Sequence, residues 1–409
     1  MNKVRRRKDF FRSAGTWVSA GLSVMVLISV FVFVFSRGIS TFSFDMLKGD
    51  YWATNYLVAF EDGQANDFAP IDTDDENEHF SAKFGFSLAD GTDRENNKLM
   101  EVVSMSALSP LHEGIITTEG PDKGKTHPVP LHARIRRIDF TDSNGEAKSA
   151  GILAQDSTAE ETIGRLEAEA VSIDGIFYQT AGGGIRGSII STLMLIGLTL
   201  LFALPLGISS AIYLHEIAPK NRITSCIRAA VEMLAGVPSI IFGLMGVSML
   251  FRITNLFGIN TQSILLGSMT MTIMLLPLIM RQTEEALIVV PQSLRMASLS
   301  LGASTTQTIF RVILPNAIPG ILSATLLSMS RIIGESAALI FTMGTAISDN
   351  PKISQSATSL AVHIWTVMAG EQPNFELATA ISLLILVLVL ILNLTVKLLT
   401  HRINRKWQV

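Results

Sequence analysis

Six stretches of the chain, each of about 20 residues or more, carry almost no charged side chains, and this constrains the fold more than any other feature. The stretches are 16–35, 187–214, 229–251, 260–280, 316–347 and 377–396. A helix needs about 20 apolar residues to cross the hydrocarbon core of a bilayer. Inside a bilayer the backbone polar groups must be bonded within the segment, which favours helices. The sequence therefore predicts an all-α polytopic membrane protein with six transmembrane helices.

Lysine and arginine are concentrated on one side of these stretches. Sixteen of them lie in the short segments 1–15, 215–228, 281–315 and 397–409. The flanks on the other side carry four, at Arg37, Arg186, Arg252 and Lys352. Because positive residues favour the cytoplasmic side, both termini are predicted to be cytoplasmic. A cleaved signal peptide is the alternative for the first stretch, but this stretch is long for one and no A-x-A site follows it.

The segment between the first two stretches is long and acidic. From residue 45 to residue 174 it holds 26 Asp and Glu against 11 Lys and Arg, whereas the whole chain has a net charge of −3. The predicted topology places this segment on the side opposite the termini. It contains no cysteine, so an intrachain disulfide cannot stabilise it.

Local patterns indicate that this acidic segment is folded. Residues 79–88 alternate as a strand does, and Asn144-Gly145 is a hairpin signal between two apolar runs. The pattern Ser157-x-x-Glu160 matches a capping box that opens a short helix. We therefore expect an inserted mixed α/β domain.

Two motifs that suggest nucleotide binding fail on spacing or context. GPDKGKT (120–126) is one residue too short between its glycines for a P-loop, and GGGIRG (182–187) leads into an apolar stretch instead of following a strand. The sequence shows no catalytic or metal-ligand cluster and no nucleic-acid motif. The chain is therefore not expected to be an enzyme by itself or to hold a cofactor.

The segment 281–315 is too polar to cross the membrane, yet its apolar residues are periodic. We expect one helix from 291 to 301, ended by Gly302, and a second from Ser304 to Pro315. An amphipathic hairpin lying on the bilayer surface fits the periodicity equally well.

Within this segment, residues 296–315 resemble the E-A-A-x3-G-x9-I-x-L-P signature of ABC importer permeases. The matching positions are Ala297, Gly302, Leu314 and Pro315. Val312 replaces the isoleucine, and Ala303 lies in the same turn. In that family the loop docks into a cleft of the ATPase subunit, so the resemblance implies that these residues form the coupling surface.

Two positions depart from the signature. Met296 stands where the family has glutamate, and Ser298 replaces the second alanine. The shape of the helix–glycine–helix unit should persist, and Glu284 and Glu285 are candidates to take over polar contacts of the missing glutamate.

The segments GVPSIIFGLMG (236–246) and RIIGESAAL (331–339) narrow the resemblance to phosphate-importer permeases of the PstA type, over roughly 185–400. The resemblance implies a multi-pass protein of the bacterial inner membrane. Its implied partners are two copies of a cytoplasmic subunit that uses ATP, a PstC-like sister permease and a periplasmic phosphate-binding protein. It carries no expectation for the insertion.

These inferences divide the chain into five parts. They are a cytoplasmic tail 1–15, a first transmembrane helix 16–36, an acidic periplasmic domain 37–186, a permease core 187–400 with the coupling loop 281–315, and a cytoplasmic tail 401–409.

Arg331 and Glu335 are the only ionisable residues in the stretch 316–347. If that stretch is one helix, their i,i+4 spacing puts them on one face. Three interpretations compete: a structural ion pair, contact of Arg331 with a translocated anion while Glu335 orients it, and pairing with another subunit. The family resemblance favours the anion path, with Gly334 permitting a bend or a close approach and Arg252 as a weaker candidate.

Other functions remain open at this stage. A permease for another oxyanion, such as sulfate or molybdate, shares most of these features. A stand-alone secondary transporter needs no ATPase. A membrane sensor is disfavoured because the short cytoplasmic segments leave no room for an output domain.

Overall fold

A computed structural model describes residues 3–39, 41–69, 77–92, 98–118, 123–152, 158–180, 182–370 and 373–407. The chain forms two compact units: a helical unit, Met1–Tyr51 with Gly184–Val409, and a sheet unit, Trp52–Gly183. The helices are α1 (Lys3–Gly38), α2 (Phe44–Lys48), α3 (Ala159–Glu169), α4 (Arg186–Ile212), α5 (Arg222–Ala235), α6 (Ser239–Met245), α7 (Phe251–Leu256), α8 (Ile264–Ile288), α9 (Gln292–Ser300), α10 (Thr305–Thr308), α11 (Leu314–Gly334), α12 (Ala337–Thr342), α13 (Leu360–Ala369) and α14 (Phe375–Trp407).

Among the described residues, six helical segments are long and apolar enough to cross a membrane, as expected from the six uncharged stretches. They are Ser13–Gly38, Arg186–Ile217, Ser239–Leu256, Ile264–Ile288, Thr305–Gly334 and Phe375–Leu398. The helix α13 is also apolar but has only 10 residues. The polytopic helical architecture predicted for the chain is therefore present.

Two of the predicted spans are interrupted. The stretch 229–251 is divided, since α5 ends before Gly236 and α6 begins after Pro238. Proline has no backbone N–H to bond to the preceding turn, so α5 does not continue through Pro238. The stretch 316–347 is divided at Gly334, after which the backbone of Glu335 is extended. The prediction of one continuous helix over 316–347 is wrong.

Among the residues that the structure describes, three segments form π-turns, in which the backbone N–H of residue i donates to the carbonyl of residue i−5. They are Tyr213–Ile217, Gly246–Leu250 and Ile309–Ile313. In the last, the Leu314 N–H donates to the Ile309 carbonyl, and the Asn316 amide donates to the Val312 carbonyl at 2.7 Å. This wider turn precedes Pro315. It leaves room for the proline ring, so the helical run continues past Pro315.

Helices α4 and α8 form the centre of the helical unit. Buried apolar side chains from both helices, among them Leu195, Met271 and Leu275, pack with Ile332 and Leu339. The backbones approach closely at Gly207, where a Cβ atom would lie 2.6 Å from Ile279 Cγ2. Small residues permit such close packing between membrane helices.

The start of α4 is tied to the segment that precedes the sheet unit. Arg186 forms a 2.6 Å ion pair with Asp50, and the Tyr51 N–H donates to Asp349 at 2.6 Å. Burial raises the pKa of Asp50, with Arg186 opposing and Asp349 adding to the rise. The Gly184 N–H also donates to the Asp50 carbonyl at 2.9 Å, so the two ends of the helical unit that flank the insertion lie side by side.

The sheet unit is an eight-stranded sheet with antiparallel pairings, in the order β2-β3-β4-β6-β8-β1-β5, with β7 paired to β6. The strands are β1 (Asn55–Ala59), β2 (Glu78–Ser81), β3 (Phe86–Thr92), β4 (Lys98–Met105), β5 (Ile115–Ile116), β6 (Arg134–Asp142), β7 (Ala147–Ala150) and β8 (Ala170–Gln179). One face buries a core that includes Phe86, Phe140, Ile176 and Leu166 of α3. The unit therefore has its own apolar core.

The predicted hairpin at Asn144-Gly145 is confirmed, since β6 and β7 pair around a Gly145 with φ of +79°. Asp142 accepts from the Glu146 N–H at 2.9 Å and pairs with Lys148 at 3.0 Å. These contacts, the backbone bond first, lower the pKa of Asp142. The hydrogen bond and the ion pair of Asp142 stabilise this turn, which has no disulfide.

Two local predictions in this unit need correction. Residues 79–88 form parts of β2 and β3 around a turn with φ of +68° at Gly85, so they are two strands and not one. The observed capping box at α3 joins Thr158 and Glu161, one residue later than expected, and Ser157 lies outside the described residues.

Candidate functional site

The loop between α8 and α11 presents an apolar surface, which we call the α9–α10 surface (residues 292–310). None of the residues of α9 is buried, and Leu301 and Met296 are 89% and 57% exposed. Leu299 and Phe310 are exposed as well. Contiguous apolar side chains left open to solvent mark an interaction surface.

The turn in this surface has the predicted form. Helix α9 ends at Ser300, and Gly302 has φ of +85° with no atom within 4 Å of a Cβ built there. Glycine is needed at this position for its backbone conformation. Ser304 and Gln307 then form a capping box that opens α10.

The expected end of the second helix at Pro315 is wrong. The helical run that begins at Thr305 continues through the π-turn into α11 and reaches Gly334. Met296, Ala297, Ser298, Gly302 and Ala303 lie in or beside the exposed turn, whereas Leu314 and Pro315 are partly buried. Ile309 and Ile313 pack with Leu287 and Ile212 in the core beneath the surface.

An ion pair inside the protein holds α9 against the end of the α4 segment. Arg295, the residue before Met296, pairs with Glu216 of the π-turn and donates to the Leu287 carbonyl at 3.4 Å. The side chains are 17% and 5% exposed, respectively. Removing one partner of a buried pair leaves an uncompensated charge at a cost of about 3–5 kcal/mol, so this pair fixes the position of α9.

A second pair lies close by in the fold. Arg228 of α5 pairs with Glu284 of α8 at 3.0 Å and donates to the Leu214 carbonyl at 2.6 Å. Glu285 pairs with Arg281. Glu284 is therefore engaged by an arginine of α5 and Glu285 by an arginine of its own helix, α8, and their suggested role in place of the glutamate absent at Met296 stays a prediction.

Sequence reasoning missed Glu216, Arg228 and Arg295 as functional candidates. The available signal was the presence of opposite charges in the short segments 215–228 and 281–315, but only the fold shows which charges meet. Ser298 has a defined role as well, since its hydroxyl lies 2.9 Å from that of Thr308 and joins α9 to α10.

The structure separates Arg331 from Glu335. Arg331 lies in the last turn of α11 and is exposed, and no ion pair joins it to a carboxylate in the described part of the chain. Glu335 lies beyond the helix and accepts from the Ala338 N–H at 3.3 Å, at the start of α12. The predicted i,i+4 pair on one helical face is therefore not present.

Two other predicted residues are exposed. Gly334 ends α11, and a Cβ atom there would meet nothing within 4 Å. The expected bend is thus found at this glycine. Arg252 lies in α7 near the end of the third span and is exposed.

The described residues thus combine six apolar spans with an exposed helix–glycine–helix surface, the arrangement of a polytopic membrane protein. The chain belongs to the family described as the binding-protein-dependent transport system inner membrane component, which matches residues 203–408, just over half of the chain. The resemblance to ABC importer permeases is confirmed.

Curated relatives agree with this family. The chain is 37% identical over 200 residues to the probable ABC transporter permease protein YqgI of Bacillus subtilis (strain 168), covering 46% of this chain and 67% of that protein. It is 34% identical over 204 residues to the phosphate transport system permease protein PstA of Mycobacterium leprae (strain TN), covering 49% and 65%. For PstA 1 of Mycobacterium tuberculosis (strain ATCC 25618 / H37Rv) the identity is 32% over 202 residues, covering 49% and 64%. The chain thus spans about two thirds of the length of these relatives.

Two solved structures align with about half of the chain. The MetNI methionine ABC transporter in inward-facing conformations aligns at 19% identity and a TM-score of 0.42, over 54% of this chain and 94% of that chain. A bacterial ABC transporter for the acidic polysaccharide alginate aligns at 17% identity and a TM-score of 0.43, over 53% and 78%. The assignment to the family does not depend on these alignments.

Proposed function

We propose that this chain is the transmembrane permease subunit of an ATP-driven importer of inorganic phosphate and forms half of the translocation path. One observation carries the proposal: a single helical run connects the exposed α9–α10 surface to Arg331. Arg331 lies 16 residues beyond Pro315, about 24 Å along a helix. Motion at the surface therefore has a direct route to this arginine.

The exposed guanidinium of Arg331 supports an oxyanion as the substrate. Arginine presents a planar set of donors that matches the oxygens of phosphate. A charged side chain in a membrane helix is expensive unless it faces a polar partner or a water-filled path. Because Glu335 is engaged at α12, Arg331 is available to an anion in this conformation.

In the proposed mechanism, two copies of a cytoplasmic ATPase subunit close on the α9–α10 surface. The Arg295–Glu216 pair passes this motion to the α4 segment, and the run through Pro315 passes it to α11. Arg331 then changes its exposure between the two sides of the membrane. A sister permease completes the path, and a periplasmic phosphate-binding protein delivers the substrate. Both termini are cytoplasmic in an inner membrane.

The acidic insertion, residues 37–186, is periplasmic in this proposal and contacts a protein. A strongly negative domain repels a free phosphate anion, and salt screens this repulsion only beyond about 8–10 Å. Capture of phosphate by the insertion is therefore disfavoured, and the binding protein or the sister permease is the expected partner.

Uptake by proteoliposomes tests the assigned substrate. The chain is reconstituted with its co-purifying subunits, and labelled phosphate uptake is measured with sulfate or molybdate as competitor. We expect ATP-dependent uptake that unlabelled phosphate suppresses and the other oxyanions do not. Stronger suppression by sulfate or molybdate reassigns the substrate. Uptake that persists with an ATPase subunit unable to hydrolyse ATP indicates a secondary transporter.

A deletion tests the role of the insertion. Because Asp50 and Gly184 are joined by a backbone hydrogen bond, residues 52–183 can be removed and Tyr51 joined to Gly184 through a short glycine linker. We expect the helical unit to assemble and uptake to fall through loss of a protein contact. Unchanged uptake and unchanged assembly together contradict the docking role.

A further inference from the structure

A cleft of about 590 Å³ opens between α8, α11 and α14. Its polar lining includes Gln282, Asn393, Lys397 and Thr400, and its apolar lining includes Leu326 and Leu327. Its lining includes neither Arg331 nor any residue of the α9–α10 surface. The function proposed above uses none of these six residues.

The polar and apolar residues lie at different depths. Helices α8 and α11 run antiparallel, since Leu287 packs with Ile313 and Ala317 while Gln282 and Ser323 line the cleft one to two turns further along. Leu326 and Leu327 are thus further from the α9 end than Ser323. Lys397 lies at the end of the α14 span, which finishes at Leu398, and Thr400 follows it. The cleft is polar at the membrane surface and apolar toward the bilayer interior.

The polar end has unused capacity for binding. Lys397 is exposed and forms no ion pair with the side chains that the structure describes. The Thr400 hydroxyl is buried and lacks a hydrogen-bond partner among the same residues. An ammonium group and a free hydroxyl at one end of a cleft are suited to a phosphate oxygen.

The surroundings of the cleft favour a lipid over a free anion. Leu390, Ile391, Leu394 and Leu398 of α14 are all more than half exposed, as expected for a surface in contact with acyl chains. Leu326 and Leu327 offer an apolar wall that inorganic phosphate does not use. Basic pockets between transmembrane helices at the inner leaflet bind anionic headgroups.

We propose that this cleft binds one anionic phospholipid of the inner leaflet. The headgroup phosphate accepts from Lys397 and, after the Thr400 side chain turns its buried hydroxyl toward the cleft, from Thr400, and an acyl chain lies along Leu326 and Leu327. The amide groups of Gln282 and Asn393 border the glycerol region. The bound lipid closes the groove between α14 and its two neighbours.

Native mass spectrometry of the full-length chain with its co-purifying subunits tests this site. The delipidated complex is titrated with phosphatidylglycerol or with phosphatidylcholine, and bound lipid is counted. We expect one tightly held phosphatidylglycerol and no equivalent phosphatidylcholine. Lys397→Gln should weaken this binding about fivefold, because one lysine near an anionic lipid surface strengthens binding by about that factor. Ser323→Phe, which fills the cleft and keeps the charge, should also displace the lipid.

Lys220→Gln is the matched control, because Lys220 is an exposed lysine of the short segment 215–228 that lies outside the cleft. It should leave lipid binding unchanged. Displacement of the lipid by millimolar inorganic phosphate overturns the proposal in favour of a free-anion site. Equal binding by wild type, Lys397→Gln and Ser323→Phe also overturns it and indicates that another subunit covers the cleft.

Discussion

The helical run Thr305–Gly334 has a glycine break at each end, Gly302 before it and Gly334 at its last residue, and the two breaks differ. At Gly302, α9 turns into α10, and Arg295 in the first half of α9 is largely buried against Glu216. At Gly334, α11 gives way to α12, and the charge next to the break, Arg331, is exposed and has no carboxylate partner among the described residues.

The difference shows how one run can combine rigidity with binding. A buried pair fixes the geometry of the first break, so force applied there is transmitted and not absorbed. An exposed arginine at the second break remains available to a substrate or another subunit. Four substitutions test whether the two breaks differ in this way.

The largest effect is expected for Arg331→Gln. If Arg331 contacts the anion, loss of the charged hydrogen bonds should cost about 1.5–3 kcal/mol and reduce phosphate uptake about 10- to 100-fold. Labelled uptake in proteoliposomes measures this while co-purification checks assembly. Arg222→Gln, the same change at an exposed arginine outside the coupling loop, is the control. Full uptake by the Arg331 variant would assign this residue a packing role.

Breaking the buried pair should destabilise the first break. Glu216→Ala leaves Arg295 buried without a partner and should lower the free energy of unfolding by about 3–5 kcal/mol, with loss of the ATPase subunit on purification. Denaturation of the full-length chain in detergent measures the first effect.

The same prediction has a rescue and a control. The double variant Glu216→Leu with Arg295→Met removes both charges and should recover most of the stability. Glu285→Gln breaks the exposed pair with Arg281 and should cost less than about 1 kcal/mol. Equal losses for the Glu216 and Glu285 variants would show that the pair at Glu216 is not special.

A smaller effect is expected at Glu335. Its carboxylate caps α12, so Glu335→Ala should cost about 0.5–2 kcal/mol, while Glu335→Gln keeps an acceptor for the Ala338 N–H and should be milder. Hydrogen exchange at 336–342 in both variants measures the capping. If Glu335→Gln instead abolishes uptake with unchanged exchange, the negative charge itself acts in transport.

The smallest effect is expected for Ser298→Ala, which restores the alanine of the family signature. It removes one hydrogen bond to Thr308 and should cost about 0.5–1.5 kcal/mol. Thermal unfolding together with ATPase co-purification gives the result. Loss of the ATPase subunit without loss of stability would place Ser298 in the docking contact itself.

Features that depend on local chemistry could be predicted from the sequence. The absence of charge indicated six spans, although the bounds of the third and fifth were shifted, Gly302 located the turn of the loop, and Asn144-Gly145 located a hairpin. Each depends on a few adjacent residues whose backbone preferences act alone.

Features that depend on tertiary contacts could not be predicted. No proline near Gly334 indicates a helix break there, and the apolar residues on both sides suggested a continuous helix. The pairing of Glu216 with Arg295 joins residues that are 79 positions apart. The extension of the run through Pro315 depends on the π-turn before it, which no residue pattern indicated.

That π-turn takes up one extra residue inside the helical run and keeps the loop and the membrane path in register. Residues in an α-helix are separated by about 100° and 1.5 Å. Five residues of a π-turn advance by nearly the same angle as four residues of an α-helix, so deleting one residue from Ile309–Ile313 would leave the α9–α10 surface almost unrotated. Deleting one residue from the α-helical part of the run would instead rotate this surface by about 100° relative to Arg331. A chain with every side chain of both sites intact would then present its docking surface to the wrong side of the complex.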